Sequence, residues 1–235
     1  MQIAHLPAAT GRRWVAEGFR LFARQPAPLL SLTLLYLLLV LASSLIPAVG
    51  PALVLLLMPG LMVGAMHTVR EIERGTLGGY RGIIEGFRRA ALDSGRPLLA
   101  LGGVNVAAAL LAYLVASLIT DDVMTQFVIT QLLYAPVQMP LWYAPMFVAW
   151  HRLPPGKSMF FSVAAVLRNK GAFLQYVAAW TVLALTASLL VQVLLLAFGM
   201  APLLVLLVFL PLSLVMPTAV YCSFWPSYRD VVSSD

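Results

Sequence analysis

The chain has 235 residues, 61% of them apolar and 10% charged, and a mean hydropathy of +0.92, against roughly 45–50% apolar and 25% charged in a soluble domain. Membrane spans of about 20 residues each take up most of that length and exclude a separate soluble catalytic domain. The net charge of +6 would suit a nucleic-acid partner only if the cations formed one compact basic patch, whereas they recur in short segments between long apolar runs.

The first such segment, Arg12–Arg24, sets Arg13, Glu17, Arg20 and Arg24 at i, i+4, i+7 and i+11, one stripe of a helix. Trp14, Val15, Gly18, Phe19, Leu21 and Phe22 fill the opposite side. The pattern predicts an in-plane helix, its apolar side in the acyl boundary and its arginines at headgroup phosphates. The run Pro26–Val69 has no charged residue and is long enough to cross twice, turning at Ile46-Pro47-Ala48-Val49-Gly50. Its first arm is not read as a cleaved leader, because a patterned segment precedes it and a paired span follows.

The second charged segment carries Arg70, Arg74, Arg81, Arg88, Arg89 and Arg96. Within it, Arg81, Glu85, Arg88 and Arg89 oppose Ile83, Ile84 and Phe87, and Glu85-Gly86-Phe87-Arg88 repeats Glu17-Gly18-Phe19-Arg20 identically, 68 residues later. Ser94-Gly95-Arg96-Pro97 then parallels Arg24-Gln25-Pro26, so a basic turn and a proline are expected before each crossing. Pro97–Thr120 and Val123–Trp150 make the second hairpin, turning at Asp121-Asp122. A diverged third copy runs from Phe160-Phe161-Ser162 to Arg168-Asn169-Lys170-Gly171 and introduces Gly171–Tyr228, with a turn near Phe198-Gly199-Met200-Ala201-Pro202.

The expected fold is therefore an all-α integral membrane protein, a single membrane domain of six transmembrane helices. It consists of three parallel repeats of an amphipathic helix plus a transmembrane hairpin, approximately 11–74, 80–152 and 158–228. An even number of crossings per repeat puts any symmetry axis along the membrane normal. With the three turns on one side, all 15 Lys and Arg residues fall on the other, and the positive-inside rule makes that side and both termini cytoplasmic. Asp121 and Asp122 face out. The expected location is the bacterial inner membrane, the expected partners are membrane lipids with anionic headgroups and a protein partner or second copy, and no nucleic acid is expected. Cys222 is the one cysteine, so no internal disulfide forms.

Prolines concentrate in the second span of each hairpin: Pro51 and Pro59, then Pro136, Pro140 and Pro145, then Pro202, Pro211 and Pro217. Interior proline frees a backbone carbonyl, which must find a donor or line a wet cavity. Pro59, Pro140, Pro211, Asn105 and Gln138 are accordingly the candidate cavity-lining residues. Arg13, Arg20, Arg24, Arg81, Arg88 and Arg89 are the candidate lipid-headgroup ligands. The strongly polar groups within the spans are amides, Asn105, Gln126, Gln131, Gln138, Gln175 and Gln192, whose ordinary role is interhelical hydrogen bonding. No Asp, Glu, Lys or Arg is expected at mid-membrane depth, which removes the usual equipment of proton- or sodium-coupled transport. Gly60-Leu61-Met62-Val63-Gly64 is a GxxxG spacing that marks a close helix contact.

His67 and His151 end even-numbered spans and lie close to Arg70 and Arg152. A lipid-phosphate enzyme would use a His as acid/base and an Arg on the phosphate, but no carboxylate is spaced to orient either, and the third repeat offers Tyr221 and Trp225 instead. No metal-ligand spacing, phosphate loop or cofactor motif occurs.

Gly18-Phe19-Arg20-Leu21-Phe22-Ala23-Arg24-Gln25-Pro26, the hairpin tip at Ile46–Pro51 and the stretch Met58–Gly64 together resemble a group of proteobacterial inner-membrane proteins. The likeness covers nearly the whole chain and is structural. More loosely, the pattern is similar to YciC-type proteins and to the membrane domain of some bacterial glycerophosphodiester phosphodiesterases. The resemblance implies no catalytic residue and no cofactor, since the phosphodiesterase chemistry belongs to a soluble domain this chain lacks. The expected role is a non-enzymatic scaffold or accessory protein linked to envelope lipids. A carrier or channel for a neutral or lipid-like substrate is the main alternative, and a lipid-phosphate enzyme the lesser one.

Overall fold

The computed structural model describes residues 2–47, 49–198 and 202–233. Helices dominate: α1 (Thr10–Arg24), α2 (Pro26–Ser43), α3 (Val49–Arg74), α4 (Gly79–Ile119), α5 (Val123–Leu141), α6 (Ala144–His151), α7 (Pro155–Arg168), α8 (Lys170–Phe198) and α9 (Pro202–Val231). Two-residue strands β1 (Gln2–Ile3) and β2 (Val232–Ser233) pair antiparallel, Gln2 opposite Ser233 and Ile3 opposite Val232. By length and apolar composition α2, α3, α4, α8 and α9 can each cross a bilayer. The expected third hairpin turn, at residues 199–201, lies outside the described residues.

The chain divides into two compact units, whose borders cut through α2, α3 and the end of α7. The first comprises residues up to Leu37, Val69–Leu77 and Arg168 onward. There α1 is the organising element, and its apolar side meets protein rather than lipid. Trp14 is fully buried, edge-on to Phe173 and Tyr176 of α8 with ring centroids 5.5 and 5.9 Å away. Gly18 admits α9 so closely that a Cβ there would stand 2.6 Å from the Ser223 Cβ and 2.8 Å from the Ala219 carbonyl oxygen. This corrects the in-plane lipid helix: periodicity reveals which side is buried, but lipid and protein are equally apolar partners. Asn169 clips the N-terminal segment, donating to the Ala4 carbonyl and accepting from the Leu6 amide at 2.9 and 2.8 Å.

The second unit holds Leu38–Thr68 and Gly78–Leu167 around Val63, Ala90, Leu98, Leu101, Leu141, Ala144 and Val148. Here the expected basic turn at Ser94-Gly95-Arg96-Pro97 is absent, because α4 runs unbroken for 41 residues with Pro97 inside it. The amphipathic segment and the span that follows are one helix. Of its apolar side, Ile83 is buried and Phe87 partly so, while Ile84 is exposed. The Asp121-Asp122 turn is as expected, with Asp122 capping α5 through a 2.8 Å bond from the Thr125 amide. That bond holds its carboxyl below the usual range.

Close approach in this unit depends on glycine. A Cβ on Gly102 would fall 1.9 Å from the backbone oxygen of Leu56, whereas neighbouring Gly103 faces open space. Gly102→Ala should lower stability by about 1–2 kcal/mol through overpacking. Gly103→Ala should be neutral or slightly stabilising, since alanine favours the helix. Thermal denaturation of the two detergent-solubilised variants reads the contrast.

Candidate functional site

Two polar constructions stand out, one in each unit. In the first, Arg229 near the end of α9 is a hub. Its guanidinium donates to Glu17 of α1 at 2.8 Å and to Asp230 at 3.0 and 3.1 Å, and also pairs with Glu73 of α3. Asp230 accepts from Arg13 at 2.5 Å and from the Trp14 indole at 3.1 Å. Glu73 accepts from the Trp225 indole at 2.6 Å, and its backbone carbonyl accepts from Arg24 at 3.0 Å. Arg70 lies over the Trp225 ring, 5.8 Å from its centroid. The arginines of α1 thus face partners of their own chain: Arg13 is tied to Asp230 and Glu17, Arg24 to α3, and Arg20 is exposed. In α4, Arg88 and Arg89 bracket Glu85 at 3.3 and 2.9 Å, and Arg81 is exposed.

The second construction mends broken helices. Proline has no N–H, so Pro59 leaves the carbonyl four residues earlier, that of Leu55, without its helical donor. Asn105 of α4 supplies one at 3.2 Å, and the Tyr134 hydroxyl of α5 in turn donates to Asn105. Further on, the apolar run Val123–Trp150 is not one helix. It breaks at Trp142-Tyr143, because Pro145 cannot donate to Leu141 and its ring collides with that carbonyl. The lost bond from the Tyr143 amide to the Met139 carbonyl is replaced by one side chain: Ser162 of α7 accepts from the Tyr143 amide at 3.0 Å and donates to the Met139 carbonyl at 2.8 Å.

Of the cavity candidates, the structure brings Pro59 and Asn105 together through Leu55. Pro140 and Gln138 are half-buried on α5, next to the break, and Pro211 lies inside α9 of the other unit. The sequence reading missed Arg229, Glu73 and Ser162. The break at Trp142 was legible from the position of Pro145, but the partner of a freed carbonyl is set by helix packing and leaves no local mark. His67 rests against Gly86, and the His151 ring lies 6.0 Å from that of Phe147. Gly60 of the GxxxG faces open space while Gly64 receives the Phe87 ring. Among the described residues no three His, Cys, Asp or Glu side chains gather as a metal site.

A probable inner membrane protein of Burkholderia thailandensis is 35% identical to this sequence, across 97% of this chain and 93% of its own. The chain belongs to that protein's family. Members so related over their whole length share a fold, and with five long apolar helices the chain is a multi-pass inner-membrane protein. No family model and no solved structure matches it.

Proposed function

We propose that the protein is a non-enzymatic scaffold or accessory factor of the inner membrane, tied to envelope lipids. Its six spans form three parallel repeats, approximately 11–74, 80–152 and 158–228. The β1–β2 pairing supports the even count: paired termini share one side of the bilayer, five crossings would separate them, and so the Val123–Trp150 region supplies the sixth. Repeat organisation draws support from Gly18, Gly86 and Ser162. The two glycines hold corresponding positions and Ser162 lies in the diverged third copy, and each meets an even-numbered span: α9 at Ser223, α3 at His67, and the Met139–Tyr143 break. The looser kinship with YciC-type proteins and phosphodiesterase membrane domains belongs to the same proposal and rests on the hairpin motif.

The observation that carries the scaffold reading is that polar groups at the helix breaks are engaged in mending backbone. A carrier for a neutral or lipid-like substrate is the second reading, favoured by the discontinuous α5–α6, since broken helices build binding sites in transporters. Copurification with native lipids and mass spectrometry, beside solute uptake in proteoliposomes, separates them. The scaffold retains lipids or a protein and moves no solute; substrate-dependent uptake would replace it with the carrier.

Topology gives an independent test. Reporter fusions at both termini, after Gly79 and at Pro154 should be active only on the cytoplasmic side, and at Asp121 only outside. Periplasmic activity after Gly79 would overturn the three-hairpin arrangement, because Arg70 and Arg74 would then be translocated against the positive-inside rule. For the enzyme alternative, His67→Gln with His151→Gln should leave any cellular phenotype intact, and joint loss with Arg70→Gln or Arg152→Gln would reverse that reading.

A further inference from the structure

We propose that the corner where α7 meets α8, with the start of α1 beside it, binds an anionic phospholipid, its phosphate at Arg12, Arg168 and Lys170 and an acyl chain along α8. The inference deepens the lipid tie of the preceding reading and rests on it. The corner belongs to the first unit and is built around the buried Asn169, which clips the N-terminal segment across it. His5 adds a contact, its Nδ1 lying 3.0 Å from the Arg168 carbonyl oxygen. One turn on, α1 crosses α8 where Gly11 leaves no room for a Cβ against the Ala172 carbonyl oxygen. The backbones of Arg12, Arg168 and Lys170 are thereby fixed close together. All three are exposed, and none of their side chains has a hydrogen bond or ion pair among the described residues.

Charge decides what covers these cations. The described acids are engaged elsewhere: Glu17, Glu73 and Asp230 at the Arg229 hub, Glu71 with Arg74, and Glu85 with Arg88 and Arg89. Asp93 stands one turn from Arg89 and Arg96 on its own helix, and Asp121 and Asp122 form the outer hairpin turn. The second unit therefore has no acid to spare for the corner. A second copy would bring the same uncompensated cations, and like charges set against each other are costly. The ligand is also apolar along its length, because Lys170 heads a stripe of α8 in which Leu174, Val177 and Leu185 follow at i+4, i+7 and i+15. These are 70%, 53% and 65% exposed. Lys170 to Leu185 is about 22 Å of helix, past the middle of a hydrocarbon core about 30 Å thick. A phosphate at one end and hydrocarbon to that depth describe a phospholipid.

The test titrates the detergent-solubilised full chain with phosphatidylglycerol or phosphatidylcholine and counts bound lipid by native mass spectrometry. The wild type should prefer phosphatidylglycerol about tenfold or more, and Arg168→Gln and Lys170→Gln should each weaken its binding about fivefold while leaving phosphatidylcholine unchanged. Lys170→Arg should keep the preference. Arg96→Gln, which removes an exposed charge from α4, should not alter it. Leu174→Gln should weaken both lipids. Equal loss from Arg96→Gln would mean that net charge alone attracts the lipid and overturns the site, as would a wild type with no preference. Displacement by millimolar inorganic phosphate would make the corner a site for the free anion and overturn the lipid assignment. Phosphatidylglycerol bound as tightly by the Arg168→Gln, Lys170→Gln double variant would overturn this site and leave the lipid tie standing, whereas no lipid bound by any variant or by the wild type fails the lipid tie itself.

Discussion

Replacing Ser162 with alanine should lower the stability of the folded protein by about 3–4 kcal/mol, the largest effect expected of any single substitution here. The hydroxyl both accepts from the Tyr143 amide and donates to the Met139 carbonyl, so its loss leaves the buried Tyr143 amide unpaired and the Met139 carbonyl with only the long 3.4 Å bond from the Trp142 amide. Each buried unsatisfied group costs about 1–3 kcal/mol, and a dry surrounding raises that figure. Ser158 of α7 is equally buried, yet its hydroxyl reaches a single carbonyl, Leu153, at 3.4 Å; Ser158→Ala should cost under about 1 kcal/mol. Denaturation in mild detergent, followed by size-exclusion fluorescence, distinguishes the pair. Equal loss at both positions would mean that packing around α7 matters and the bridging hydroxyl does not.

Arg229→Ala should cost about 2–3 kcal/mol. It removes the cation between Glu17, Glu73 and Asp230, whose side chains are only 19%, 25% and 12% exposed. Three partly desolvated carboxylates would then repel one another. Breaking a fully buried pair costs about 3–5 kcal/mol, and the lower figure applies because Arg229 itself is 37% exposed and screened. Arg229→Lys should restore only part of the loss, since an ammonium cannot address several carboxylates with a planar fork. Loss from Arg229→Ala should also shrink when Glu73→Gln is added; strict additivity of the two changes would show that the hub is not a coupled network.

How much of this was readable follows a physical rule. The stripe Arg13, Glu17, Arg20, Arg24 gave the length and buried side of α1, because helical period is a property of one segment. What met that side was not readable, since Phe173, Tyr176 and Ser223 come from the far end of the chain. Pro97 was misread as a helix boundary: proline is tolerated in a helix whose freed carbonyl, here that of Asp93, belongs to an exposed residue. Pro145 obeyed the stricter outcome and split its run. Asn105 was recognised as an interhelical amide, but its target, Leu55, follows from Pro59 and a packing contact with α4. Arg229 looked like one more cytoplasmic cation, as nothing local to it names Glu17 or Glu73.

The dependence of α1 on α8 and α9 has a consequence for biosynthesis. Helix α1 is synthesised before α8 and α9, against which it buries Trp14 and Gly18, so at about 5–20 residues per second it waits on the order of ten seconds for its partners. During that interval its apolar side has only the bilayer surface to lie on, a resting place that suits an amphipathic helix well. Synthesis of α9 and β2, which brings β2 to β1 and Arg229 to Glu17, ends it.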